Sequence, residues 1–370
     1  MAASTVSPGH DARMVAALLD LPEIRRLVAD LDGLRWTGRP GYPVRAIVGL
    51  ALVKSVYALP TWTRTVRLVR EHAALREALG TAPSVDAAYR FTVKLRAHSA
   101  MLAACLDSVL ASLHAVTPDM GQTLAIDGSD LPAYANGQRF VKRGGEERKR
   151  FSDPDASWGH RSSISTRSGG GYYGFKVHAA VCTHTGLPVA WQVETAKDPE
   201  IPLVPVLLDS AAERGFAVHI AVLDRGYDSE SVYAQVEQRG IRPVIPLRMT
   251  PAVKRGLASP PSCGHGTWTF AGSDARRGAS KWRCPSGECT PASAWVEASR
   301  LHPLIPRETE RNLYHQRGAV ERGFGTLKHE WGMHPLRVRR LARVRLHVDL
   351  TILGRLAPAL AAARSLPLVA

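Results

Sequence analysis

Acidic residues are the conspicuous shortage in this chain. Its 370 residues include 33 Asp or Glu against 48 Lys or Arg, giving a net charge of +15 and a pI near 10.0. An imbalance of that size fits a polyanionic partner, nucleic acid or an anionic membrane surface. Cysteine is scarce as well. Five cysteines, an odd number scattered over this length, do not make a disulfide framework. The run read as the most apolar falls short of the roughly 20 residues needed to span a bilayer. The most apolar stretch, Ala46 to Leu59, is interrupted by Lys54. The opening MAASTVSPGHDARM has no apolar core of a signal peptide. These absences lead us to expect a soluble, intracellular protein with no membrane partner, long enough for one large domain with insertions or roughly two to three smaller ones.

What the chain does contain is organised around Tyr314-His-Gln-Arg317-Gly-Ala-Val-Glu321-Arg-Gly-Phe-Gly-Thr-Leu-Lys328. Read as a helix advancing about 100° per residue, it places Tyr314, Arg317, Glu321 and Lys328 inside an arc of roughly 60°. Val320, Phe324, Leu327 and Trp331 follow the spacing of a buried face, turned by about 80° from that stripe. The polar groups therefore sit at the edge of the core, whereas an ordinary solvated face would lie opposite it. Gly318, Gly323 and Gly325 each cost such a helix about 1 kcal/mol relative to alanine. Gly318 and Gly325 project beside the stripe, where the lack of a side chain lets a bulky ligand backbone come close.

Tyr-x2-Arg-x3-Glu-x6-Lys, at the end of a chain with earlier strand-end aspartates, resembles the signature of bacterial insertion-sequence transposases of the DDE type. The likeness continues through Trp331 to Leu353 and runs over most of the chain. It implies an α/β fold with an RNase H-like mixed sheet flanked by helices, a helical N-terminal region that binds the element's ends, and DNA contacts from Tyr314, Arg317 and Lys328 at the cleaved end.

Residues 1–118 read as helical. Pro43 to Leu59 and Thr61 to Leu79 form helices, Gly80 supplies a stop, and Ser84 caps a helix that starts with Asp86 in its first turn. Ala100 to Val116 is apolar enough to pack the others together. Arg90, Lys94 and Arg96, spaced along one short helix, suit a helix-turn-helix-like DNA reader, with Arg90 and Lys94 as contacts; solubilising charge on a helical bundle is the alternative, and the resemblance favours the former. Residues 119–247 are the expected first part of the catalytic domain. Thr123-Leu-Ala-Ile runs into Asp127 and a glycine turn, a loop follows from Ala135 to Gly171, and Tyr172 to Cys182 with Leu187 to Glu194 alternates as a hairpin around Thr185-Gly186. Pro199 to Gly215 is a helix. Ala217 to Leu223 is a continuous apolar strand ending on Asp224, and a helix from Ser229 to Arg239 precedes a strand from Arg242 to Leu247. This order, completed by a helix bearing Glu321 in 306–370, is that of an RNase H-like domain, a topology that rests partly on the resemblance. Residues 248–305 form a β-rich insertion, and Val338 to Ala363 is a closing helix.

Phosphodiester cleavage needs an activated oxygen nucleophile and charge relief on the attacking and leaving oxygens. Two Mg²⁺ (or Mn²⁺) ions held by carboxylates supply both. Asp127, Asp224 and Glu321 are the expected catalytic triad and metal ligands, with Asp127 bridging. Asp130 competes with Asp127, and Asp228 with Asp224, but the first of each pair ends its apolar strand, and Asp228 is expected to cap the following helix. Asp153 and Asp155, in the long loop, are set aside. His178 and Lys176, next to Phe175 in a strand, receive no role.

Cys263, His265, Cys284 and Cys289 offer soft ligands for one tetrahedral Zn²⁺. Their Cys-x-His spacing is tighter than usual and Cys-x4-Cys is wide, so reduced thiols in a loop-rich insertion are the competing expectation. Trp268, Trp282 and Trp295 pack this insertion or stack on an unpaired base. The function expected is a DDE transposase that nicks transposon ends and transfers the freed 3′-hydroxyl into target DNA, acting as a homodimer in the bacterial cytoplasm and on the nucleoid. The alternatives are a decayed transposase that binds ends without cutting and an RNase H-like nuclease that never joins strands.

Overall fold

The computed structural model describes residues 8–34, 41–138, 145, 150–161, 169–246, 261–274, 279–297 and 312–364. Most of the basic run 141–150 and all of residues 248–260 and 298–311 lie outside them. Two compact units are formed, Met1–Val218 with Gly318–Ala370, and His219–Arg317. That division differs from one cut near residue 118, and the reason lies in the first unit's helices.

Seven helices open the chain: α1 (Pro8–Asp20), α2 (Pro22–Asp32), α3 (Val44–Val56), α4 (Trp62–Glu71), α5 (Ala73–Leu79), α6 (Val85–Ala97) and α7 (Ser99–Val116). Local chemistry sets their ends. Thr61 and Ser84 accept the N–H groups of Arg64 and Ala87 at 3.3 and 3.1 Å, and Gly80 closes α5 at φ 73°. The single helix expected over Thr61 to Leu79 is broken at His72, whose extended backbone lets Leu75 and Leu79 turn into the core. These helices do not stand alone. The last helix, α11 (Leu341–Ala363), packs against α7 and α3, and Arg364 just past it binds Glu23 of α2 at 2.7 Å. Both α7 and α11 are long and apolar enough to cross a bilayer, and here they pack on each other.

The sheet of this unit contains β1 (Thr123–Pro132), β2 (Ser157–Arg161), β3 (Gly170–Cys182) and β4 (Pro188–Thr195), all antiparallel, with β1 along one side of β3 and β2 then β4 along the other. The β3–β4 hairpin turns at Gly186, φ 67°, as its Thr-Gly pair implies. Helix α8 (Leu203–Glu213) packs on β3 and β4. Helix α10 (Gly318–His329) packs on β1 and β3, and α11 on β4, where the Trp191 indole donates to Asp349 at 2.8 Å.

In the second unit β5 (Ile220–Leu223) and β6 (Arg242–Val244) pair in parallel, with α9 (Glu230–Glu237) between them in sequence. The insertion is β-rich as expected. It holds a hairpin of β7 (Ser262–Cys263) and β8 (Gly266–Thr267), and a sheet in which β10 (Ala279–Arg283) lies between β9 (Thr269–Asp274) and β11 (Ser293–Glu297). Trp282 sits edge-on to Phe270 at 5.8 Å, and the Trp295 ring lies 5.7 Å from the Lys281 ammonium. The fold is mixed α/β, with antiparallel strands in one unit and a parallel pair in the other.

Candidate active site and metal centre

Asp127 does not end its strand. β1 continues through Gly128, Ser129 and Asp130 to Pro132, because β3 offers thirteen residues to pair with and the register holds from Leu124 opposite Cys182 to Pro132 opposite Gly174. A partner strand some fifty residues away thus overrides the local turn signal. Asp127 accepts the N–H of Gly128 at 2.8 Å.

Opposed residues of an antiparallel pair share a face, and faces alternate along each strand. Asp127 opposes Ala179 and Ala125 opposes Val181, so these four share one face. Helix α10 lies on it: a Cβ on Gly323 would sit 3.5 Å from a Val181 methyl. The strand carrying Asp127 and the helix carrying Glu321 are thereby brought to one side of the sheet. His178, opposing Gly128, and Lys176, opposing Asp130, belong to the other face. Lys176 binds Glu200 at 2.6 Å, and burial pushes the His178 imidazole down to about 4.

In α10, Val320, Phe324 and Leu327 are buried, while Glu321 is exposed. Gly325 has open space around it, as a close approach by a ligand requires. The continuous helix expected from Tyr314 does not form. Residues 312–315 are helical, Gln316 and Arg317 make a turn closed by the N–H of Arg317 on the Tyr314 carbonyl at 2.9 Å, and α10 starts at Gly318. Tyr314 and Arg317 therefore precede the helix bearing Glu321 and Lys328. Trp331 lies just beyond the helix, 5.8 Å from the Arg355 guanidinium.

Lys328 is occupied. Its ammonium contacts the Asp130 carbonyl and lies 3.6 Å from the Asp130 carboxylate, which Arg161 also binds at 3.0 Å. Asp130, the rival of Asp127, thus serves to neutralise two cations, Lys328 of α10 and Arg161 of β2. Sequence reading missed Arg161, which sits in a loop-like context whose strand, β2, has no strong apolar alternation.

Asp224 belongs to the second unit. It follows β5 as expected, one oxygen accepting the Gly226 N–H at 2.6 Å and the other 4.0 Å from the Arg317 guanidinium. Asp228 does not cap α9. Ser229 occupies the N-cap position, and Asp228 is 5 % exposed. In the N-terminal bundle Arg90 is exposed, but the Lys94 ammonium is buried in the field of Asp32, and burial lowers its pKa.

The four insertion ligands converge. Cys263 and Cys284 sulfurs are 3.6 Å apart, and the Nδ1 atom of His265 is 3.8, 3.7 and 3.5 Å from Cys263, Cys284 and Cys289. A tetrahedral zinc with bonds of about 2.3 Å to sulfur and 2.0–2.1 Å to nitrogen has edges of about 3.8 and 3.5 Å. All four ligand atoms lie within 4.8 Å of one another, which the tight Cys-x-His spacing alone did not promise. The β7–β8 turn carries Cys263 and His265 together. On its far side His265 Nε2 meets Glu288 at 3.2 Å, the carboxylate partner a metal-bound histidine uses. The Ser286 hydroxyl, 3.2 Å away, pulls the Cys284 thiol down to about 5.

Two family models match the chain, one described as a transposase DDE domain over residues 118–355 and one as a transposase domain (DUF772) over residues 2–96. No curated protein matches it. Among solved structures it is similar to a piggyBac transposase synaptic complex with hairpin DNA, with 13 % identity and a TM-score of 0.41 over 96 % of this chain and 76 % of that one.

Proposed function

The chain belongs to the transposase DDE domain family, and from that premise we propose that Asp127, Asp224 and Glu321 are its catalytic carboxylates. It is a transposase, an enzyme that cuts and transfers DNA strands, and its family works with divalent metal ions. In our reading the sheet is RNase H-like, and the three carboxylates would hold two Mg²⁺ or Mn²⁺ ions. The observation that carries this is the shared face: α10 packs over the side of the sheet on which Asp127 lies. The donor set fits hard cations, being carboxylate oxygen throughout. When bound, the ions relieve charge on the attacking and leaving oxygens of the phosphodiester.

The chain's own cations handle the strand. Arg317 clamps a phosphate with two parallel N–H donors, the Tyr314 hydroxyl bonds a phosphate oxygen, and Lys328 adds a point charge held in place by Asp130. Arg317 rests beside Asp224 and Lys328 beside Asp130, so each cation is already held by a carboxylate. The exposed Arg90 side of α6 serves end binding. The insertion holds one structural zinc through Cys263, His265, Cys284 and Cys289, supported by distances close to the edges of a zinc tetrahedron. Two ends must be brought together, so the working form is a homodimer on terminal inverted repeats, nicking there and then joining the 3′-hydroxyl to target DNA. We place it with bacterial insertion sequences, acting in the cytoplasm on the nucleoid.

The test uses DNA flanking the gene as substrate. Glu321→Gln should bind end DNA as the parent does and fail to nick it with Mg²⁺, and parent protein should join pre-cut ends to a target duplex. Normal nicking by Glu321→Gln would remove the triad, and cutting without joining would leave a nuclease.

A further inference from the structure

A cleft of about 380 Å³ opens in the first unit between α6 and the loop that leads into α11. Its lining includes none of Asp127, Asp224 and Glu321. Its size falls in the range of roughly 300–1,000 Å³ typical of small-ligand sites. Its charge is one-sided. Lys54, Arg96, Arg337, Arg339 and Arg343 line it, and among the described residues no Asp or Glu does. Burial lowers the pKa of Arg96, and the charge of Arg343 lowers it further, so like charges are held together here. Lys54, at the floor, has its ammonium 5.8 Å from the Trp62 ring centroid, and burial pushes its pKa down to about 8. Of these cations Lys54 and Arg96 are half-buried and Arg337, Arg339 and Arg343 exposed, so the charge reaches from the floor to the open rim, and an anion bound among them offsets the cost of the half-buried pair.

The floor is apolar, from Ala51, Trp62, Leu346 and Leu350, and the rim carries Tyr89, Val93 and Tyr134, which are 51, 57 and 45 % exposed. The arginine side of the rim is held rigid. Arg340 adopts φ 76°, a conformation that side chains other than glycine rarely take, and its N–H is gripped by both oxygens of the fully buried Asp153 at 3.1 Å. Asp155 takes the Leu341 N–H at 3.0 Å, and Arg339 donates to the Tyr134 carbonyl at 2.8 Å. Arg337 and Arg339 both lie about 5 Å from the Tyr134 ring centroid. Cations on a fixed rim over an apolar floor match a ligand with an anionic group on one end and a flat apolar ring system on the other.

We propose that this cleft receives one unpaired nucleotide of a DNA strand, with its phosphate among Arg96, Arg337 and Arg343 and its base on the apolar floor. The choice of DNA rests on the transposase reading; the pairing of anion and ring rests on the cleft. The cleft is too narrow for a duplex, so only a nucleotide displaced from the stack can enter, and a displaced base is held by ring contacts and phosphate clamps.

The test is equilibrium binding of the full chain to three fluorescent probes: a paired duplex, the same duplex with one unpaired nucleotide, and that duplex with an abasic site in place of the unpaired nucleotide. The parent should prefer the unpaired nucleotide at least tenfold over both others. Arg96→Gln with Arg343→Gln should abolish the preference and lower the salt slope by about one for each phosphate no longer neutralised. Val93→Trp, which fills the cleft mouth without changing charge, should abolish it too while keeping paired-duplex affinity within twofold. Equal binding of all three probes by the parent, or an unchanged preference in Val93→Trp, overturns the proposal. Equal affinity for abasic and intact probes overturns the base contact. No cleavage is read in these arms, so a failure of the catalytic reading leaves their result intact.

Discussion

The guanidinium of Arg317 lies 4.0 Å from one carboxylate oxygen of Asp224, while the other oxygen accepts the Gly226 N–H. The turn contact and the charge are therefore separable. Asp224→Asn keeps an oxygen for Gly226 but lacks the negative charge, so its melting temperature should stay near the parent's. Strand cleavage should fall by more than the roughly 10–100-fold that follows removal of a group merely orienting a metal ligand. Parent-like cleavage by this variant would exclude Asp224 as a ligand. Arg317→Gln should weaken end binding and reduce its salt slope by about one, as expected when one phosphate is no longer neutralised.

The insertion should carry one zinc per chain, read by elemental analysis of purified protein. Cys284→Ser should lose the metal and expose residues 261–297 to protease. Glu288→Gln should retain the fold but bind zinc about 10–100-fold more weakly, since Glu288 orients His265 without being a ligand. Cys105→Ser, altering a buried thiol of the helical bundle, serves as the unchanged reference. Protein free of zinc as isolated would leave three reduced thiols beside an imidazole.

What was legible in the sequence follows the range of the forces involved. The continuous apolar run before Asp224 announced β5, and Val320, Phe324 and Leu327 announced the buried side of α10, since burial patterns repeat over a few residues. The Cys and His set was legible as ligands but not as a convergence, which needed the β7–β8 turn and residues 284–289 to meet. Other features depend on partners far along the chain. β1 outruns its glycine because β3 pairs with it, Asp153 is buried within its loop where it accepts the Arg340 N–H, and Lys94 turns inward toward Asp32. The arginine cleft was invisible for the same reason, with Arg96 and Arg343 nearly 250 positions apart. The turn at Gln316 and Arg317 is different. There, helix periodicity was extrapolated one turn too far back.

Two buried imidazoles make the fold acid-sensitive. Burial pushes His347 down to about 3 and His178 to about 4, with His347 Nε2 3.1 Å from the Met333 carbonyl. An unfolded histidine titrates near 6.5, so below that pH the unfolded chain binds protons that the folded one refuses. Their stabilisation is complete above about pH 6.5 and is lost as the pH falls toward the folded values. Between pH 7 and 5 each should cost about 2 kcal/mol, read from urea midpoints. His347→Gln should remove about half of that loss. An unchanged difference would mean that His347 is charged in the folded protein.

Close packing of α3 on α11 depends on Gly354, where a Cβ would come within 2.4 Å of Ser55 Cβ. Gly354→Ala should destabilise the first unit by about 1–3 kcal/mol, the usual cost of overpacking. Adding Ser55→Gly vacates the same space and should recover most of that loss, despite giving up the Ser55 hydroxyl's bond to the Leu350 carbonyl at 3.3 Å. No recovery in the double variant would place the strain elsewhere in the α3–α11 contact.

Asp153 and Arg340 offer the sharpest separation of strain from contact. Asp153→Ala removes both acceptors of a part-buried N–H, costing about 1–3 kcal/mol, and releases a backbone held at φ 76°. Arg340→Gly removes the conformational penalty of that φ, of order 1–3 kcal/mol, and sacrifices only a partly exposed ion pair with Asp155. The two substitutions should therefore act with opposite signs on the melting temperature, Asp153→Ala lowering it and Arg340→Gly raising it. If Arg340→Gly also lowers it, the pair with Asp155 outweighs the strain, and the loop is fixed by its side-chain contact instead of by the buried carboxylate.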